Sequence, residues 1–232
     1  MCDKMKKYLI FTVASLLLMP SCLTKKEKPG ELTRTSGEVK LVTLDPGHFH
    51  AALVQKNSYK QVADEVYVYA PEGDDVQEHL NKINGYNTRT DSPTKWKEVV
   101  YLGSDFLEKM LSEKKGNVMI TAGNNGKKTE YIKQTLMAGI HVLADKPMAI
   151  NSENFGLLKE CFDIARGKGI LLYDIMTERH EITTVLQREL SCIPAVYGEQ
   201  LKGTPEEPAI VKESVHHFFK VVSGTPLKRP AW

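Results

Sequence analysis

Gly139-Ile140-His141-Val142-Leu143-Ala144-Asp145-Lys146-Pro147-Met148 joins a helix end, a short apolar strand and a charged corner without a spacer. Gly139 falls where a helix C-cap belongs, and the aliphatic run His141–Ala144 has the length of a buried strand. Asp145-Lys146-Pro147 then stands at the strand's carboxyl end. In an open parallel sheet that is the edge where ligands bind, so a lysine there is well placed for chemistry.

Working outward, short β-branched or aliphatic runs alternate with longer segments of helical period. That alternation predicts a parallel sheet covered on both faces, a doubly wound α/β fold. The strands expected are Val39–Leu44, Glu65–Tyr69, Val99–Leu102, Asn117–Thr121, His141–Ala144 and Ile170–Asp174. Helices are expected from Phe49 to about Gln55, then over Asp74–Ile83, Asp105–Glu113, Lys128–Ala138 and Ser152–Lys168. Asp105 and Ser152 suit N-caps, and Gly139 and Gly169 suit C-caps.

Upstream, Lys4, Lys6 and Lys7 precede the apolar run Tyr8–Met19 and then Pro20-Ser21-Cys22. This is the pattern of a secretion signal, and a cysteine after a small residue suggests the lipid-attachment point of a bacterial lipoprotein, Cys22. The expected organisation is a signal over 1–22, a solvated linker over 23–37, a nucleotide domain over 38–178 and the beginning of a second α/β domain over 179–232. The expected location is the bacterial cell envelope, periplasmic or outer-membrane associated, with the membrane reached through the lipid. The net charge of +2 and the scatter of Lys and Arg among Asp and Glu exclude nucleic acid as the expected partner. Of the four cysteines, Cys2 belongs to the signal, while Cys161 and Cys192 sit in apolar surroundings without CxxC spacing. Buried free thiols are expected there rather than a disulfide or a structural metal site.

The candidate site residues lie after the strands. Asp45-Pro46-Gly47-His48-Phe49-His50 follows the first strand, with one glycine where a dinucleotide fingerprint has three. Gly47, His48 and Phe49 are therefore open to two readings, a phosphate-approaching loop or a tight strand-to-helix turn. Metal binding by the two histidines is not expected, because no acidic or third histidine partner is spaced with them. Glu72, after the second strand, stands where a carboxylate would bind the adenine ribose hydroxyls, or else is a turn residue. In the first case NAD is preferred slightly over NADP, because a carboxylate repels a 2′-phosphate. Thr121, Ala122, Gly123, Asn124 and Asn125 form a small polar loop on the same edge, expected to touch the ligand.

The stretch Val118–Asn151 resembles the glucose–fructose oxidoreductase / inositol dehydrogenase family (Gfo/Idh/MocA) in three places. These are its Thr-Ala-Gly-Asn-Asn loop, the helix ending Met137-Ala138-Gly139, and the corner Asp145-Lys146-Pro147, where the family usually has Glu-Lys-Pro. The resemblance runs from Val39 to about Arg179 and on to the end, closest to a branch of envelope lipoproteins. It implies a Rossmann-type domain binding NAD or NADP, with Asp145 and Lys146 at the cofactor. It also implies that Lys146 is catalytic, donating to a substrate hydroxyl as C–O becomes C=O. The residues alone leave Lys146 equally readable as the partner of Asp145 or Glu178. The resemblance further implies a sugar, cyclitol or glycoside substrate near Glu178 and Arg179, which are equally readable as a domain-linking ion pair, and homo-oligomers of the full-length form. Of the later imidazoles His216 and His217, which point to opposite faces of a strand, at most one, His217, is a candidate proton partner. Members continue with a long second domain, so the chain reads as C-terminally truncated. A strand near Ala195–Lys202 is expected. An oxidoreductase outside the cytoplasm would hold its cofactor and recycle the hydride internally. The competing expectation is a non-catalytic envelope lipoprotein with a degenerate nucleotide domain that binds glycan or protein.

Overall fold

The computed structural model describes residues 36–175, 180–211, 219–222 and 225–228. Cys22 with the signal, most of the linker, Glu178, Arg179 and His217 lie outside these described residues. Strands β1 (Leu41–Leu44), β2 (Glu65–Ala70), β3 (Lys97–Leu102), β4 (Val118–Thr121), β5 (His141–Ala144) and β6 (Leu172–Asp174) form one sheet in the order β3-β2-β1-β4-β5-β6. Every neighbouring pair is parallel. The expected Rossmann-type α/β fold is present, and its strand order reverses between β1 and β4, which places the ligand crevice beyond their carboxyl ends.

The helices are α1 (His50–Leu53), α2 (Asp74–Thr88), α3 (Phe106–Glu113), α4 (Lys128–Met137) and α5 (Ser152–Lys168). Alternate residues of the strands feed two cores. Val42, Leu44 and Met119 pack with Phe106, Met110, Ile132, Leu136 and Ala165 from α3, α4 and α5. Leu41 and Ile120 point the other way, toward Ala51, Ala52 and Ile83 from α1 and α2. Each fully buried aliphatic side chain of this kind contributes about 1.5–3 kcal/mol, so the sheet is held from both faces.

Element ends follow local chemistry. Gly139 and Gly169 take φ of +83° and +66° after α4 and α5. Beyond α4, Gly139 N–H donates to Leu136 O and Ile140 N–H to Thr135 O, the paired closure that a left-handed residue permits. The N-cap of α5 is Asn151 rather than Ser152, because the Asn151 side chain accepts from Asn154 N–H at 2.8 Å. Asp105 does sit at the N-cap of α3, but its carboxylate accepts from Tyr101 Oη instead of capping the helix. Helix α2 runs on to Thr88, past the expected end at Ile83, since Asn87 just before its close is tied to Trp96 N–H and O.

Beyond the sheet lie α6 (Ile182–Ser191), α7 (Pro194–Tyr197) and an antiparallel pair, β7 (Phe219–Val222) with β8 (Thr225–Lys228). The strand expected near Ala195–Lys202 is not formed. Pro194 opens a helical turn and Gly198, at φ +76°, ends it, so local geometry prevails where no strand among the described residues pairs with the segment. Cys161 is buried and free as expected, whereas Cys192 is free and exposed, at the C-cap of α6, a helix that has no buried residue. Among the described residues no helix is long and apolar enough to cross a membrane.

Candidate active site

Three loops meet at the carboxyl ends of β1, β4 and β5, and each is fixed by atoms of another. In the first, Asp45 takes a positive φ of 46°, and its carboxylate accepts from Asn124 Nδ2 at 3.0 Å and Tyr131 Oη at 2.9 Å. Burial, and then the charge of Asp45, raise the Tyr131 phenol, so it stays a donor. The backbone N–H groups of Gly47 and His48 both donate to Ala122 O, each at 2.8 Å. Gly123, at φ +141°, lies so close that a Cβ there would come within 2.5 Å of Gly47 N. This is one of the few positions where glycine is required.

At the third loop, Asp145 N–H donates to Thr121 O at 2.9 Å. Its carboxylate is only 2% exposed and faces two imidazoles, with His50 Nδ1 2.8 Å from Oδ1 and His48 Nδ1 3.1 Å from Oδ2. The His48 contact is close enough for an ion pair but is not aligned as a hydrogen bond, and His48 Nδ1 has no hydrogen-bond partner. Lys146 N–H donates to Asp145 Oδ1 at 2.8 Å. Burial alone would push the Asp145 carboxyl up; the His48 and His50 imidazoles together outweigh that and hold it well below the usual carboxylate range. The reading that excluded metal rested on sequence spacing, and the fold brings an acidic partner from 95 positions away.

Lys146 stands at the corner itself, joined to Pro147 by a cis peptide bond. Its side chain is exposed, and among the described residues no hydrogen bond or ion pair holds its ammonium. The pairing with Asp145 that sequence left open involves its backbone N–H, not its amine. The structural lysine is a different one. Lys128, fully buried at the start of α4, donates to Asn125 Oδ1 at 2.7 Å and to the carbonyls of Asp145 and Pro147, each at 3.2 Å. Burial lowers its amine to about 8, which leaves it charged at neutral pH. No periodic signal in Lys127-Lys128 distinguishes it from a solvated pair.

Of the remaining candidates, Thr121, Ala122 and Gly123 are buried under the loops, and Asn124 and Asn125 are half-buried with their side chains engaged by Asp45 and Lys128. Phe49 is exposed, its ring tilted against His48 and edge-to-face with His50 at centroid distances of 4.5 and 4.4 Å. Glu72 is exposed beyond β2, without a partner among the described residues. A cleft separates Pro46–Phe49 from Asp75, Glu78, His79 and Lys82 of α2. His79, unremarked in sequence, lines it while only 4% exposed, and neither ring nitrogen has a hydrogen-bond partner. Burial, then the neighbouring Lys82, lower this imidazole to about 4, so it is neutral. Its signal was legible, since Val76, His79 and Ile83 share one helical face.

Comparison with known proteins gives a consistent picture. The model of an oxidoreductase family with an NAD-binding Rossmann fold (GFO_IDH_MocA) matches residues 47–173, and that of an oxidoreductase C-terminal domain (Oxidoreduct_C) matches residues 186–232. The crystal structure of a Parabacteroides merdae protein is 74% identical with a TM-score of 0.79, over 86% of this chain and 46% of that one. A Thermotoga maritima structure, 17% identical with a TM-score of 0.50 over 68% of this chain and 44% of that one, shares the fold. The chain thus spans less than half the length of either. No curated protein matches it significantly.

Proposed function

This chain belongs to the Gfo/Idh/MocA oxidoreductase family, with its nucleotide domain over residues 47–173, and from that premise we propose a specific activity. It is the NAD(P)-dependent oxidation of a hydroxyl on a sugar, cyclitol or glycoside, with the cofactor retained and its hydride returned within one cycle. The observation that carries this reading is the position of Lys146, whose exposed side chain, with no partner for its ammonium among the described residues, stands at the end of β5 beside the point where the strand order reverses.

The residues around the cleft suit a dinucleotide at its adenosine end. The orphaned nitrogens of His79 are valences that ribose hydroxyls would meet, one as donor and one as acceptor, and Glu72 stands nearby in sequence to take a 2′-hydroxyl in preference to a phosphate. When bound, the nicotinamide supplies hydride acceptance and donation. The chain's own contribution is positional. Lys128 and Asp145 fix the corner, and Lys146 donates a hydrogen bond to the substrate oxygen and stabilises charge developing there. In this reading Glu178, Arg179 and His217 approach the substrate, Cys22 carries the lipid that holds the protein in the cell envelope, and the full-length form assembles into homo-oligomers.

One observation favours a second reading. The Gly47 and His48 amides, which a dinucleotide loop would turn toward the pyrophosphate, both donate to Ala122 O, as expected of a nucleotide domain that has become a scaffold for glycan or protein binding. Two measurements separate the readings. The purified chain should release a nicotinamide nucleotide on denaturation or bind one on titration, and Lys146→Ala should lower turnover by about 10²–10⁴-fold with the cofactor still held. Neither retained nor titratable nucleotide would leave only the scaffold reading.

A further inference from the structure

We propose that His48, His50 and Asp145 form a binding site for one divalent ion of the zinc class. The three side chains come from the loop after β1, the first residue of α1 and the corner after β5, His50 and Asp145 being 95 positions apart, and one ligand atom from each lies within 4.8 Å of the others. Two imidazole nitrogens and one carboxylate are a donor set for Zn²⁺, Co²⁺ or Fe²⁺ rather than for Mg²⁺ or Ca²⁺, which take oxygen ligands.

Two features show that this is more than a carboxylate between histidines. His48 Nδ1 is buried and lies 3.1 Å from Asp145 Oδ2 without the alignment of a hydrogen bond, so the carboxylate neighbours it while its hydrogen-bonding capacity stays unmet. The carboxylate is also oriented from behind by Lys146 N–H at 2.8 Å, as outer-shell donors orient metal-binding carboxylates. Tetrahedral bonds of about 2.0–2.2 Å imply separations between ligand atoms of about 3.3–3.6 Å. The 2.8 and 3.1 Å contacts, which reach different oxygens of the carboxylate, therefore open by about half an ångström, within the 4.8 Å that already encloses the three ligand atoms. His48 and His50 keep side-chain exposures of 31% and 22%, which leaves coordination positions toward solvent for water or an oxygen of a bound ligand. The ammonium of Lys128, 3.2 Å from Asp145 O, opposes any cation here, which again favours an ion that bonds strongly to nitrogen.

The proposal does not depend on dinucleotide binding and is tested without it. Tag-free protein stripped with a chelator is titrated with Co²⁺, read by visible absorption, and with Zn²⁺ in competition. One equivalent is expected to bind. His48→Ala and His50→Ala should each weaken it by at least about 100-fold, with His180→Ala unchanged. Histidine ¹⁵N spectra of the wild type should show Nδ1 of His48 and His50 shifting with the first equivalent, a readout that survives if a variant fails to fold. Absence of stoichiometric binding, or binding that leaves these two imidazoles unshifted, overturns the assignment.

Discussion

Lys128 and His79 are both basic side chains buried beneath the ligand edge, one under the β5 corner and one under the β1–α1 loop, yet they differ in every partner. The lysine has three acceptors and an amine lowered to about 8; the histidine has none among the described residues and is lowered to about 4. Burial lowers both by a similar amount, so the lysine stays charged at neutral pH because an amine starts from 10.5 and an imidazole from 6.5, and the acceptors fix where that charge sits. The corner under Lys146 is thus a finished structure, while the rim beside His79 retains unmet hydrogen-bonding capacity. Stiffness therefore belongs to the chemical end of the crevice and adaptability to the other.

The sharpest way to break the comparison is Lys128→Ala. Removing the amine leaves Asn125 Oδ1 and two carbonyls without their donor, and urea unfolding should show a loss of about 3–5 kcal/mol. A loss under about 1 kcal/mol would mean that the corner holds without it.

Next in size is a pH effect. The unfolded His79 protonates near 6.5 but the folded one only near 4, so its contribution to stability is complete above 6.5 and disappears as pH falls through that window. Glu98, raised to about 7 by burial against a hydrogen bond from Gln55, acts oppositely: stability is lost as pH rises from 4.5 to 7. Each amounts to about 3 kcal/mol in magnitude, so the wild-type profile is flat where they overlap. Chemical denaturation from pH 4 to 8 should show His79→Phe with stability that only falls across this range and Glu98→Gln with stability that only rises. Parallel profiles for all three proteins would remove the contrast between the two ends.

The smallest effect belongs to the exposed rim. Glu72→Ala should change stability by under about 0.5 kcal/mol, yet weaken NAD about tenfold while leaving NADP unchanged or tighter. Equal titration curves for both dinucleotides in wild type and variant would sever Glu72 from the adenosine end.

Much of the fold was legible because its signals are local. The Gly139 and Gly169 helix stops, the aliphatic strands and the alternation that feeds two cores each depend on residues a few positions apart. The failures share one cause as well. The expected strand at Ala195–Lys202 needed a neighbour, the N-cap at Ser152 lost to the asparagine one position earlier, and the acidic neighbour of His48 and His50 was hidden because Asp145 is far away in sequence.

By itself, the amino-acid sequence determined the parallel α/β sheet, its ligand-bearing edge and the exposed lysine that stands there, since period, punctuation and strand ends are written in short windows. Only the tertiary structure decided which lysine is structural, that Ala122 engages the first loop's amides, and that two imidazoles share one buried carboxylate. Those contacts join positions many residues apart, and folding alone brings them within hydrogen-bonding distance.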